Sequence, residues 1–241
     1  MEMSLRNWIV AALTAVIVLP SAAFAAPTLL NPTPYRSFAD SPFSGLTFGQ
    51  FFLEDFEDGS MDIPGTTIVS NTPGTSIFVT NPSFFTDSVD GDDGIIDGLG
   101  RDGRSIGATP NVPTGNLGYS ILFDEQILGA LPTHVGIVWT DGDPNRAVQL
   151  EVFDQNGQSL GLSGPASIAD GAFNGGTSED HFFGAINPTG ISMITLTQPF
   201  SNNNMEMDHL QIGLPQVPLP ASGLLFAPVL FGLAGLARRK R

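Results

Sequence analysis

Cysteine is absent from all 241 residues, so the chain has no disulfide, no thiol nucleophile and no cysteine metal site. Lysine is nearly absent as well. Its single copy is Lys240, and between residues 26 and 216 the only cations are Arg36, Arg101, Arg104 and Arg146. They face 23 acidic residues in that stretch, a net charge of −19 with histidine neutral. Such a body repels phosphate backbones, which excludes nucleic acid as a partner and leaves divalent cations or neutral sugars. Self-repulsion for solubility accounts for the same charge. Tryptophan and tyrosine number two each. Sugar-binding faces stack their ligands on these rings, and only Trp139 and Tyr119 fall in expected strands. The 18 phenylalanines read first as core.

Long amphipathic helices are missing too. The best helical stretch, Asp124 to Leu131, is worth a turn or two. What replaces them is a series of short runs bounded by turn residues. Val148, Leu150 and Val152 alternate with Gln149, Glu151 and Phe153, the pattern of a half-buried strand. Val135 to Trp139, Ser120 to Phe123, Ile191 to Thr197, Ile77 to Thr80 and Thr66 to Ser70 end at Asp, Asn, Gly or Pro. About ten such runs, spaced near ten residues, predict an all-β antiparallel β-sandwich of jelly-roll type. Residues 50–216 form this domain, and 26–49, with Pro27, Pro32, Pro34 and Pro42, read as a leader laid over it.

Both ends of the chain carry the apolar runs that the body lacks. At the N-terminus Arg6 precedes the run Trp8 to Leu19. Pro20 follows, then the small-residue site Ala23-Phe24-Ala25, which predicts a signal helix cleaved after Ala25. At the C-terminus no charge appears from Val217 to Ala237, about 21 residues, enough to span a ~30 Å hydrocarbon layer as a helix. Four cations close it, Arg238, Arg239, Lys240 and Arg241. Carrying them across a bilayer costs on the order of 3 kcal/mol each, so they stay on the inner side and the body lies outside.

The order Val217-Pro218-Leu219-Pro220-Ala221-Ser222-Gly223, apolar run, basic end resembles the PEP-CTERM sorting signal in its VPLPA variant. The usual glutamate between the prolines is Leu219 here. The resemblance implies a single C-terminal transmembrane helix over 221–237, the basic stop 238–241, and processing by an exosortase-type membrane enzyme. It also implies delivery from the inner membrane to the cell surface or the exopolysaccharide matrix. The same residues fit a tail anchor that is never processed.

Two acidic stretches are candidate cation sites. The opening Phe51 to Gly59 and the closing Met205-Glu206-Met207-Asp208-His209-Leu210 resemble the first and last strands of exported jelly-roll domains and of certain carbohydrate-binding modules, where carboxylates hold a structural calcium. That resemblance makes Glu57, Asp58 and Asp208 candidate Ca2+ ligands; solvated strand ends are the plainer reading. The second stretch, Asp87 to Arg104, offers Asp90, Asp92, Asp93 and Asp97. It matches neither the EF-hand loop nor the calcium β-roll, and reads as an acidic surface loop or a calcium site.

His134, His181 and His209 are too dispersed for a short zinc motif and read as hydrogen-bonded structural residues. No nucleophile elbow, P-loop or dinucleotide fingerprint occurs. The expectation is therefore a non-catalytic, structural or adhesive protein of the surface or biofilm matrix. The alternatives are a carbohydrate-binding module on matrix polysaccharide and a polysaccharide-modifying enzyme, which needs two facing carboxylates.

Overall fold

The computed structural model of the chain describes residues 25–110, 116–201 and 203–216. Ala23, with the expected signal helix, and the whole sorting segment 217–241 lie outside them. Among the described residues no helix is long and apolar enough to cross a membrane. Twelve strands among the described residues form two antiparallel sheets. In chain order they are β1 (Thr28–Pro34), β2 (Gln50–Glu54), β3 (Thr66–Ser70), β4 (Thr75–Val79), β5 (Ile106–Pro110) and β6 (Leu117–Phe123), then β7 (His134–Asp141), β8 (Val148–Phe153), β9 (Ser159–Ala166), β10 (His181–Ile186), β11 (Met193–Gln198) and β12 (Met205–Leu214).

The larger sheet runs β1-β10-β7-β12-β5-β4, with β2 also paired to β12; the smaller runs β3-β6-β11-β8-β9. β12 is the hub. One edge pairs with β7, while the other pairs with β5 over Met205 to Met207 and with β2 over Leu210 to Leu214. Among the described residues the one α-helix, Glu125–Leu128, is the short turn expected: Asp124 accepts the Gln126 N–H as N-cap, and Gly129 at φ 82° closes it.

The alternation in β8 does what its pattern requires. Val148, Leu150 and Val152 are buried, while Gln149, Glu151 and Phe153 stay half-exposed. They meet Ile121, Ile194 and Leu196 of their own sheet and Val135, Ile137, Trp139, Phe183 and Ile212 of the other in one core. Tyr119 joins the layers, its hydroxyl donating to the carbonyls of Ile106 at 2.7 Å and Met205 at 2.5 Å.

β7 reads as an unbroken apolar run because both its faces are covered. Outside the sandwich, Val138 and Phe182 pack with Tyr35, Phe43 and Val89 in a second cluster. The segment read as a leader supplies this cover and also the first strand. Pro32 and Pro34 are tolerated because β1 is an edge strand whose pairing with β10 shifts register between Leu30 and Thr33. Gly136 admits the Phe182 ring: a Cβ there would lie 2.2 Å from it.

Candidate functional site

Between β4 and β5 the chain makes a long strap. Its base is closed where Thr80 N–H donates to Ser105 O at 2.9 Å and the two hydroxyls meet at 3.1 Å. From there it crosses the outer face of the larger sheet. Gly91 N–H donates to Arg36 O at 2.9 Å, and Gly100 N–H donates to Gly175 O at 2.9 Å. Residues 86–90 are buried while much of 92–99 is exposed, so the stretch expected at the surface is half interior. Val89 is the reason, since it plugs the second apolar cluster.

Under the strap, β12 breaks its alternation. Asp208 pairs with Val138 but Gln211 with Gly136, so β12 carries one extra residue, and His209 sits at φ 44°. The bulge changes which side chains share a face. Met207 and Leu210 enter the inner core, while Asp208, His209 and Gln211 all turn outward beneath the cover.

There they form a network. His209 Nε2 lies 2.7 Å from Asp92 Oδ1, its Nδ1 lies 2.8 Å from the Tyr35 hydroxyl, and Gln211 Nε2 donates to that hydroxyl at 3.0 Å. Ser41 donates to Gln211 Oε1 at 2.5 Å. Asp208 accepts the N–H of Val89 at 2.9 Å and that of His209 at 2.6 Å. Donor atoms of Asp92, Asp208 and His209 lie within 4.8 Å of one another.

More acids surround this group. Glu206 Oε2 accepts from Ser105 Oγ at 2.6 Å and from Asp87 N at 3.1 Å. Glu179 Oε2 accepts from Asp170 N at 2.7 Å, and Asp141 is near enough for its charge to raise Glu179. Asp180 is fully enclosed, and neither of its carboxylate oxygens has a partner; Asp87 Oδ1, Asp92 Oδ2, Thr140 Oγ1 and Glu179 Oε1 are likewise unpartnered.

Burial and mutual repulsion favour the protonated acids. Desolvation, then Asp141 and Glu179, push Asp87 up to about 9. Burial followed by Glu206 pushes Asp141 up to about 7, and burial outweighs the Asp170 N–H to hold Glu179 at about 8. Asp180 and Asp208 are raised well above the carboxylate range, first by burial, then by Asp87 and Asp92 respectively. Among the described residues the ion pair that touches this group is His209 with Asp92. The nearby arginines are engaged elsewhere, Arg104 with Thr80 O and Asn81, and Arg101 with Asn174 O.

The expected calcium ligands thus distribute differently from their sequence groups. Asp92 and Asp208, assigned to separate stretches, come together. Glu57 and Asp58 stand outside that group: Glu57 accepts the Arg104 N–H, and Asp58 is exposed and accepts the Ser60 N–H at 2.8 Å. Asp90 folds the strap, its Oδ1 accepting N–H groups of Asp97, Gly98 and Leu99 at 3.0, 2.9 and 3.3 Å. Asp93 and Asp97 are exposed and make short local turns with Ile95 and Leu99. Sequence reasoning missed Asp87, Asp141, Glu179, Asp180 and Glu206. Glu206 did carry a signal, since it lies in the closing strand beside Asp208.

Beside the strap a groove of about 600 Å³ is lined by Arg36, Asp97, Asp170, Asn174, Thr177 and Ser178, among others. Neither Tyr35, Tyr119 nor Trp139 reaches it or any other surface, all three being buried.

No protein-family model matches the chain, and no curated protein matches it. Among solved structures it resembles the K1 cleaved adhesin domain of Lys-gingipain from Porphyromonas gingivalis W83, at 12% identity and a TM-score of 0.41, over 68% of this chain and 98% of that one. It also resembles the CBM22-1 xylan-binding domain of Paenibacillus barcinonensis Xyn10C, at 14% identity and a TM-score of 0.41, over 72% of this chain and 100% of that one. A second xylan-binding domain from CBM 22 gives 11% identity and a TM-score of 0.38, over 70% and 96%. A likeness this loose transfers no residue and no ligand.

Proposed function

We propose that the chain is an exported protein with a structural or adhesive role at the cell surface or in an exopolysaccharide matrix. It is held in the inner membrane by residues 217–241 and then processed by an exosortase-type enzyme. One observation carries this reading: a VPLPA-type motif, an uncharged bilayer-length run and four cations stand in that order at the C-terminus. The folded body is compatible with it. β12 ends at Leu214, so only Pro215 and Gln216 separate the sandwich, of jelly-roll type in this reading, from Val217. Catalysis is not part of the proposal, because Asp141, Glu179 and Asp208 are buried and the Asp92 side chain is nearly so, leaving no open cleft between them. Mass spectrometry of the mature protein from its host tests the reading. We expect the peptide containing Arg238 to Arg241 to be missing from the surface-located form; finding it intact there overturns processing.

A second reading, carbohydrate binding, is favoured by the groove beside the strap. Asp97, Asp170, Asn174, Thr177 and Ser178 offer hydrogen-bond acceptors and donors suited to sugar hydroxyls, and Ile96 and Leu99 offer apolar contact. Glycan-array binding that is lost in Asn174→Ala supports this reading, and no saccharide signal removes it.

A further inference from the structure

We propose that the groove beside the strap takes a polysaccharide bearing free amino groups, with an ammonium docked against Asp90 and Thr177. The proposal rests on the carbohydrate-binding reading and names the class of sugar.

Asp90 comes from the strap and Thr177 from the short turn Thr177–Glu179 before β10. Gly98 joins them: its N–H donates to Asp90 Oδ1 at 2.9 Å, and its carbonyl accepts the Thr177 N–H at 3.2 Å. Both residues line the groove, yet they are only 2% and 5% exposed. Each keeps one polar atom in reserve. Asp90 Oδ1 accepts three N–H groups of the strap, while Oδ2 has no hydrogen bond among the described residues, and neither does the Thr177 hydroxyl. Neither free oxygen is sealed inside the protein, so the little surface these side chains keep presents both to the groove. Nearly buried side chains with spare acceptors at a concave surface are placed to receive a ligand.

Charge selects the ligand. Asp97 and Asp170 line the groove with Asp90, against the single cation Arg36, which already has Asp40 at 3.8 Å. A neighbouring hollow of about 380 Å³ continues the groove, because Asp97 and Leu99 line both. It adds Asp93, Asp102 and Phe84, with Arg101 over one face of the Phe84 ring at 4.3 Å. Phe84 is 54% exposed and offers there the aromatic surface that the buried Tyr35, Tyr119 and Trp139 do not. Linked hollows suit a chain of sugars. An ammonium brings three donors and a positive charge to the free oxygens of Asp90 and Thr177. A hydroxyl or an acetylated amine brings one donor and no charge, and an acidic sugar is repelled by a body of net charge −19.

Titration calorimetry on the full chain in detergent compares glucosamine, N-acetylglucosamine and xylose oligomers of equal length, in mildly acidic buffer that keeps the amines protonated. We expect the glucosamine oligomer to bind about tenfold tighter than the other two, the margin of a charge-assisted over a neutral hydrogen bond. Asp90→Asn keeps the oxygen that the strap needs and turns the free one into a donor, so it should remove that margin. If its melting temperature shows that it does not fold, Asp97→Asn with Asp170→Asn serves, at about threefold for each exposed carboxylate. Asp58→Asn, on an exposed turn, should bind as the wild type does. An oligolysine of the same charge should not distinguish Asp90→Asn from the wild type. If none of the three sugars binds, the carbohydrate reading and this proposal fall together. If the acetylated or xylose oligomer binds as tightly, that reading stands and this proposal is overturned. It is also overturned if Asp58→Asn weakens binding as much as Asp90→Asn, or if oligolysine binding is lost equally in Asp90→Asn, which would assign the groove to a basic peptide.

Discussion

His209 Nε2 stands 2.7 Å from Asp92 Oδ1 across 117 residues of chain, and this contact ties the strap to the hub strand of the larger sheet. Both rings that complete it, Tyr35 and His209, meet edge to face with centroids 5.4 Å apart. Replacing His209 with alanine removes the partner of a buried carboxylate and of a buried phenol. The expected loss is about 1–3 kcal/mol in urea unfolding, the range for leaving buried polar groups without a hydrogen-bond partner. A change below about 0.5 kcal/mol would mean that the contact contributes little to folding.

Tyr119→Phe removes one hydroxyl and leaves two carbonyls, those of Ile106 and Met205, short of a donor inside the core. Ring packing is unchanged, so the variant isolates the hydrogen bonds. We expect a loss of about 1–3 kcal/mol by denaturant titration at unchanged m-value.

Gly136→Ala places a methyl group 2.2 Å from the Phe182 ring, and a cost of about 1–3 kcal/mol follows from overpacking. Phe182→Leu alone is also destabilising because it leaves a void. Combined, the two changes should cost less than their sum, and a double-mutant cycle that shows strict additivity would disprove the steric account.

Asp141 and Glu179 set a pH dependence whose sign is fixed. Their folded-state values, about 7 and about 8, exceed the ordinary carboxylate range, so the native chain keeps protons that the unfolded chain has released. Their contribution is fully present below about pH 4 and is lost as pH rises through about 7 to 8. In EDTA the melting temperature should therefore fall between pH 5 and pH 9. Glu179→Gln should flatten that fall and raise the melting point at pH 8, and an unchanged slope in the variant would refute the assignment.

The strand plan was legible in the sequence because a half-buried strand must alternate, and Val148 to Phe153 does so without fault. The unbroken run from Val135 to Trp139 also signalled a strand. The segment 26–49 reads as a leader laid over the domain, but its prolines hide the edge strand Thr28–Pro34 that pairs with β10. Glycine at 136 was visible but its partner Phe182 was not, since 46 positions separate them. The bulge did leave a mark: Met205, Glu206 and Met207 alternate, Asp208 and His209 are polar in succession, and Leu210 to Ile212 alternate again. One extra residue is the simplest cause of such a slip in phase. Asp180 left no comparable mark, because an acid just before a strand looks like an ordinary turn. Its enclosure, 1% exposed, appears only in the folded chain.

The position of β12 also decides how the molecule answers a pull. Tension on the residues after Gln216 enters a strand held by β7 on one flank and by β2 and β5 on the other. The load therefore runs along the strand, where many bonds must slip together, and does not peel them singly from a rim. A body tethered through its central strand can be dragged by its tail without unravelling from it.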